Sequence, residues 1–157
     1  MAIIFKDRDN RPDAFNVRAS VFMVEQGFTY DFDGLDDNPG VIFITAYDDA
    51  SDNPSWPVAT ARIFPAELEA HFPEDMDAGP DSWVVGRIAV RPEYRHTGLG
   101  SRILAEAERV AAANGAADMH LHAQVRAMGF YHHNGYVEYG PYGYDEGVPH
   151  QWMKKPL

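Results

Sequence analysis

The chain has no cysteine. That excludes disulfides, thiolate zinc sites and a cysteine nucleophile, and it fits a cytoplasmic enzyme. Positive charge is scarce: 13 Lys and Arg stand against 24 Asp and Glu, for a net charge of −11. Sheathing of nucleic-acid phosphates needs a cationic face, so such a partner is not expected. An acidic chain instead steers a cationic acceptor such as an amine, although acidity also serves plain solubility. Long apolar runs are missing too. No stretch approaches the roughly 18 residues of a membrane span, and Met1–Phe5 is too short and wrongly flanked for a secretory leader. There is no Gly-x-Ser-x-Gly elbow, so a serine hydrolase is unsupported. Internal repeats, low-complexity tracts and linkers are also lacking.

What is present fits one domain over residues 1–157, 45% hydrophobic and large enough to bury a core. Ala2–Lys6 reads as a short strand. Asp9 or Asn10 caps a helix with Pro12 in its first turn, its apolar face made by Ala14, Phe15, Val17, Ala19, Val21 and Phe22. Phe28–Asn38 reads as an aromatic, acidic loop. Val41–Tyr47 and Val58–Phe64 flank a turn rich in Asp, Ser, Asn and Pro, and so form an antiparallel hairpin. Pro65–Asp81 is acidic and proline-bounded, with one helical turn near Ala66–His71. Trp83–Val90 is a strand. Leu99–Asn114 is the best helix, with Leu99, Ile103, Ala107, Val110 and Ala111 on one face and Gly115 as its stop. Asp118–Ala123 is a strand, Gln124–Asn134 a helix, and Tyr136–Tyr139 and Val148–Lys154 closing strands. The order β-α-β-β-β-α-β-α-β-β predicts an α/β (α+β) fold. Its mixed, mostly antiparallel central sheet is flanked by helices and includes one parallel β-α-β unit.

The feature that speaks most directly of chemistry lies between that unit's first strand and its helix: Arg95-His96-Thr97-Gly98-Leu99-Gly100. Two glycines let backbone approach a ligand without Cβ obstruction. The first amides of a helix have no internal partner, and such a turn seats a pyrophosphate. Three phosphate turns compete. A nucleotide P-loop ends in Gly-Lys-Ser/Thr, whereas Ser101-Arg102 follows Gly100 here. A dinucleotide fingerprint needs a glycine or alanine where Ile103 stands, and an early βαβ unit. The coenzyme A turn, Arg/Gln-x-x-Gly-x-Gly/Ala, matches at all positions. The bland alternative is an ordinary strand-to-helix turn.

With that match the chain resembles the GNAT acetyltransferase superfamily, over nearly its full length in element order. Ile88-Ala89-Val90-Arg91-Pro92-Glu93-Tyr94-Arg95 resembles the family's strand and entry to its pyrophosphate loop; His96 replaces the glycine common after the arginine. Phe130-Tyr131-His132-His133-Asn134-Gly135-Tyr136 resembles its second signature, and Gln124 lies where many members carry a cofactor-contacting asparagine. Val21-Phe22-Met23-Val24-Glu25-Gln26, Asp33-Gly34, Asp36-Asp37, Ala123-Gln124 and Gly147-Val148-Pro149-His150 are similar to the ElaA/YjcF-like branch.

The resemblance implies an N-acetyltransferase that moves the acetyl group of acetyl-CoA directly to a primary amine of a small molecule or a protein. Amides from Arg95 through His96, Thr97, Gly98, Leu99 and Gly100 to Ser101 would hold the pyrophosphate, with the helix dipole behind it. The backbone of Ile88, Ala89 and Val90 would hold the pantetheine arm as an added strand. Tyr131 is the candidate general acid for the departing thiolate, its alternative being a packed aromatic. The base is open between Glu25 and His122, acting directly or through water; the alternatives are a solvated carboxylate and a satisfied sheet histidine. Phe28, Tyr30, Phe32, Tyr139, Tyr142 and Tyr144 are candidates for an acceptor pocket. No metal is expected. His120 and His122 share a strand face, His132 and His133 diverge on a helix, and Asp31, Asp33, Asp36 and Asp37 make only half a calcium loop with Ile42 where its glutamate belongs. Two rival classes remain: a non-catalytic acyl-CoA binding or sensing module, and an interaction protein presenting acidic, aromatic loops. A monomer and a homodimer through sheet edges are both compatible.

Overall fold

In the computed structural model, residues 1–28, 31–69, 78–145 and 147–157 are described. Seven strands form one sheet in the order β1-β2-β3-β4-β5-β7-β6. They are β1 (Ile3–Lys6), β2 (Ile42–Asp48), β3 (Pro57–Pro65), β4 (Ser82–Val90), β5 (Asp118–Gln124), β6 (Val137–Asp145) and β7 (Val148–Pro156). Every neighbouring pair is antiparallel except β4 and β5. The parallel pair needs a crossover, which α2 (Leu99–Ala113) supplies. The expected α/β class, element order and β2–β3 hairpin therefore hold.

The two sheet faces follow from strand alternation. On one face α2 buries Leu99, Ile103, Leu104, Ala107, Val110 and Ala111 against Ile44, Ile63, Val85, Met119, Leu121 and Met153. Apolar residues recur at helical spacing, so one stripe of the helix lies against the pleat. On the other face α1 (Arg11–Arg18) packs Val17 against Ala89. Its first turn is anchored by Asn10, whose side-chain amide donates to the Phe43 carbonyl (2.8 Å) and to Thr45 Oγ1 (2.9 Å).

Several boundaries differ from the sequence reading, each for a local reason. The first helix runs on as a π-helical turn over Ala19–Glu25. Such widened turns cluster at functional sites. Within the stretch read as loop, Gly34–Asp37 forms a 3-10 turn capped by Asp33. Of the turn read near Ala66–His71, Ala66–Leu68 is 3-10 and His71 lies outside the described residues. The helix expected over Gln124–Asn134 is a 3-10 turn, Val125–Ala127, followed by a short α3 (Met128–His133). Strand β6 extends well past Tyr139, because the register shift between Glu138 and Tyr142 absorbs Gly140 and Pro141.

Two irregularities of β4 shape the molecule's functional end. Its pairing with β5 covers only Ser82–Asp118, Trp83–Met119 and Val84–His120. Beyond Val84 the two parallel strands separate. On its other edge β4 carries a bulge against β3, where the register shifts between Thr60 and Arg62. Arg87 sits at that bulge with φ +49°. A left-handed conformation is uncommon for a non-glycine residue and marks a position held by its surroundings.

Candidate functional site

The glycine turn links the end of β4 to the start of α2. Gly98 has φ +84° and stands immediately before α2. Arg95 N–H bonds the Pro92 carbonyl (3.2 Å), and the helical ladder begins with Arg102 N–H on the Gly98 carbonyl (3.2 Å). Between them, the backbone amides of His96 to Ser101 have no internal acceptor among the described residues. They form a concentrated set of donors at the positive end of a 15-residue helix. His96 adopts φ +61°, a conformation open to the glycine it replaces and strained for a histidine. Gly100 has a packing reason as well. A Cβ there would lie 3.2 Å from the Phe130 ring, so the turn and the Phe130-Tyr131 signature fit each other.

A cavity of about 420 Å³ fills the wedge between β4 and β5. Ile88 on β4, Leu121, His122 and Gln124 on β5, and Phe22 and Tyr131 line it. Gln124 donates to Gln26 Oε1 (3.3 Å) and accepts from Arg126 Nε (2.8 Å). Tyr131 meets Phe130 and Tyr136 edge-on, at 5.1 and 6.1 Å between ring centroids. Burial pushes its hydroxyl up to about 12. It is therefore protonated at neutral pH and can donate. Ala89 faces the core beside α1, and the Val90 carbonyl accepts from Arg95 Nε (3.1 Å).

A second cavity, of about 780 Å³, adjoins the first. Asp33, Gly86, Arg87, His122, Asp145 and His150 are among the residues lining both, so the two volumes meet there. His122 stacks on Trp152 (centroids 4.8 Å apart, planes 18°) and lies 4.8 Å from the His150 ring. Burial, then the neighbouring His150, lower its pKa to about 4, so it is neutral at pH 7. His150 Nδ1 lies 2.8 Å from the Val148 carbonyl. A carbonyl only accepts, so Nδ1 carries the proton and Nε2 of the neutral ring keeps its lone pair.

The acidic loop is held by arginines. Arg18 Nε bonds Asp31 (2.7 Å), and its two terminal nitrogens clasp Asp36 (2.8 and 3.0 Å). Arg62 Nη1 reaches Asp33 (2.7 Å) and Asp36 (3.1 Å), and Arg87 Nε lies 3.0 Å from Asp31 Oδ1. Burial alone would raise the Asp36 carboxyl. The Arg18 hydrogen bond and charge outweigh that and bring it to about 2. The loop's carboxylates are thus committed to guanidinium groups, with Asp37 on Arg11. Among the described residues no group of three or more His, Asp or Glu side chains is placed to hold a metal ion.

The residues singled out from sequence separate into distinct places. Arg95 to Ser101 form the turn, and Ile88, Gln124, Tyr131 and His122 line the wedge. Glu25 lies outside both cavities, paired with Arg95 of the turn, whose hydrogen bond holds the carboxyl below its usual range. Phe28 and Phe32 line the first cavity, and Tyr142 and Tyr144 the second. Tyr139 packs on His120 instead, and Tyr30 lies outside the described residues. Sequence reasoning passed over Arg87 and Asp145, and gave His150 no role. An arginine within the apolar run Val84-Val85-Gly86-Arg87-Ile88 is itself a signal, because charges enter sheets only with partners.

The model of the acetyltransferase (GNAT) domain family matches residues 77–157. The chain belongs to this family: it is an acyltransferase, and use of an acyl-CoA goes with that membership. It is 31% identical over 157 residues to the uncharacterized N-acetyltransferase YjcF of Bacillus subtilis, covering 98% of each chain. A crystal structure of a Lactobacillus plantarum protein provisionally named an N-acetyltransferase superposes with a TM-score of 0.81 at 26% identity, covering 100% of this chain and 99% of that one. The Escherichia coli ElaA structure shares the fold, with a TM-score of 0.75 at 22% identity over 98% and 99% of the chains. No helix among the described residues is long and apolar enough to cross a membrane.

Proposed function

We propose that this chain is a single-domain cytoplasmic N-acetyltransferase that moves the acetyl group of acetyl-CoA directly to a primary amine. The observation that carries the reading is the row of amides from His96 to Ser101, without internal partners among the described residues, at the start of α2. A diphosphate placed there gains charge-assisted hydrogen bonds and the helix dipole together. From that anchor the pantetheine arm runs along the free edge of β4 beside Ile88, as an added strand. The thioester then lies near the junction of the two cavities, and a bimolecular encounter becomes a positioned one.

The amine enters from the second cavity as an ammonium ion and loses a proton before its nitrogen attacks the carbonyl carbon. His150 Nε2 is the acceptor, since Nδ1 is fixed on Val148. His122 is a weak base, and Glu25 is spent on Arg95. The N–C bond forms, the C–S bond breaks, and the Tyr131 hydroxyl hydrogen-bonds the departing sulfur. The products are the N-acetyl amine, the free thiol of coenzyme A and one proton.

The test is release of free thiol from acetyl-CoA across a panel of amines, with acetyl-CoA binding followed by calorimetry. Amine-dependent release is expected. Binding without release on any acceptor would overturn the enzymatic reading.

A further inference from the structure

Arg87 stands where the two cavities join. The β4 bulge turns it into both cavities, at the cost of a left-handed backbone (φ +49°). Its Nε serves Asp31, and its Nη2 reaches Asp33 at 3.3 Å. Its Nη1 makes no hydrogen bond among the described residues, and the side chain keeps 29% exposure. Behind it, Arg62 Nε is buried with no acceptor. The three arginines thus carry more N–H groups than the three carboxylates and nearby carbonyls absorb, although their charges balance. Asp145, lining the same two cavities, has no cationic side chain paired with it among the described residues. A spare guanidinium edge and a spare carboxylate therefore line one junction. The second cavity continues past them onto Phe64 and Trp152, both buried.

On the reading that the chain acetylates amines, we propose that its acceptor is a free α-amino acid with an apolar side chain. Arg87 takes the α-carboxylate. Asp145 draws in the ammonium group, which becomes the attacking amine. The side chain lies over Phe64 and Trp152. The α-amino nitrogen bonds to the acetyl carbon and the thioester C–S bond breaks, giving an N-acetyl amino acid, the thiol and a proton. The fixed fork of a guanidinium suits a planar carboxylate, and a plain alkylamine leaves that fork unused.

The experiment compares matched acceptors with acetyl-CoA as donor: phenylalanine, phenylalaninamide and phenethylamine, then leucine, leucinamide and 3-methylbutylamine. The expected result is a kcat/KM for the acids that exceeds the amides and amines by about tenfold or more, the usual range for a hydrogen bond to a charged group. In Arg87→Gln that ratio should fall toward one, while calorimetry still reports acetyl-CoA binding and hence a folded wedge. Arg87→Lys keeps the charge without the fork and should restore only part of the ratio. Amines turned over as well as acids would overturn this proposal and leave N-acetyl transfer standing. So would a ratio unchanged in Arg87→Gln, which makes the arginine a brace for the acidic loop. No thiol release with any acceptor would overturn both.

Discussion

Replacing Tyr131 by phenylalanine removes one hydroxyl and leaves the ring. The hydroxyl has no hydrogen bond among the described residues, and the edge-on contacts with Phe130 and Tyr136 belong to the ring. The variant should therefore fold, unfold within about 2–4 °C of the parent, and bind acetyl-CoA within twofold. Its chemistry should suffer. A free thiol titrates near 8.5, and Tyr131 stands at about 12. Complete proton transfer from the tyrosine to the leaving sulfur is then uphill by about 5 kcal/mol, since each pH unit is worth about 1.4 kcal/mol. That mismatch favours a hydrogen bond to the developing thiolate over full protonation. A hydrogen bond to a charged group contributes about 1.5–3 kcal/mol, so kcat should drop by roughly 10–150-fold. Single-turnover thiol release is the assay, because slow product release would hide the change. A drop below threefold would refute the role of the hydroxyl. A drop beyond about a thousandfold would refute the weak-donor argument and point to true general-acid catalysis.

His96→Gly relieves the strain at φ +61° and should raise stability by up to about 1 kcal/mol, read as a rise of roughly 2–4 °C in melting temperature; no rise would mean the loop is relaxed as it stands. Gly98→Ala puts a Cβ at φ +84° and should cost about 1 kcal/mol while weakening acetyl-CoA, measured by calorimetry. Asp36→Asn leaves buried Arg18 and Arg62 short of charge and should destabilise by about 3–5 kcal/mol in urea; a loss under 1 kcal/mol would show that the cluster does not brace the loop. His122 binds a proton near 6.5 when unfolded and only near 4 when folded. The unfolded state takes up protons first as pH falls, so His122 should drain at most about 2 kcal/mol of stability between pH 7.5 and 5. His122→Gln should flatten that slope in urea titrations at the two pH values, and an equal slope would contradict it.

How much of this was readable in the chain depends on range. The α2 stripe from Leu99 to Ala111 and the alternation of β5 are local patterns, and they gave the core and the crossover. The turn from Arg95 to Gly100 was readable because its function is local: backbone amides need only glycines and a helix behind them. The loop carboxylates were visible, but their partners Arg18, Arg62 and Arg87 come from three different elements. The spacing of the aspartates alone resembles half a calcium loop that Ile42 leaves unclosed, and it carries no sign of the guanidinium groups. Glu25 looked available from its own segment, and only the fold brings Arg95 to it from 70 positions away. The junction of Arg87, His122, Asp145 and His150 depends on where β4 parts from β5 and where the β6–β7 hairpin ends. A bulge, a register shift and a splayed pair leave almost no trace in local periodicity.

The most direct measurement follows the backbone amides of His96 to Ser101 by ¹H–¹⁵N spectroscopy as coenzyme A is added. These six signals should move most, and should move little with pantetheine, which lacks the diphosphate. Saturable binding that leaves them in place, with the shifts elsewhere, would contradict it.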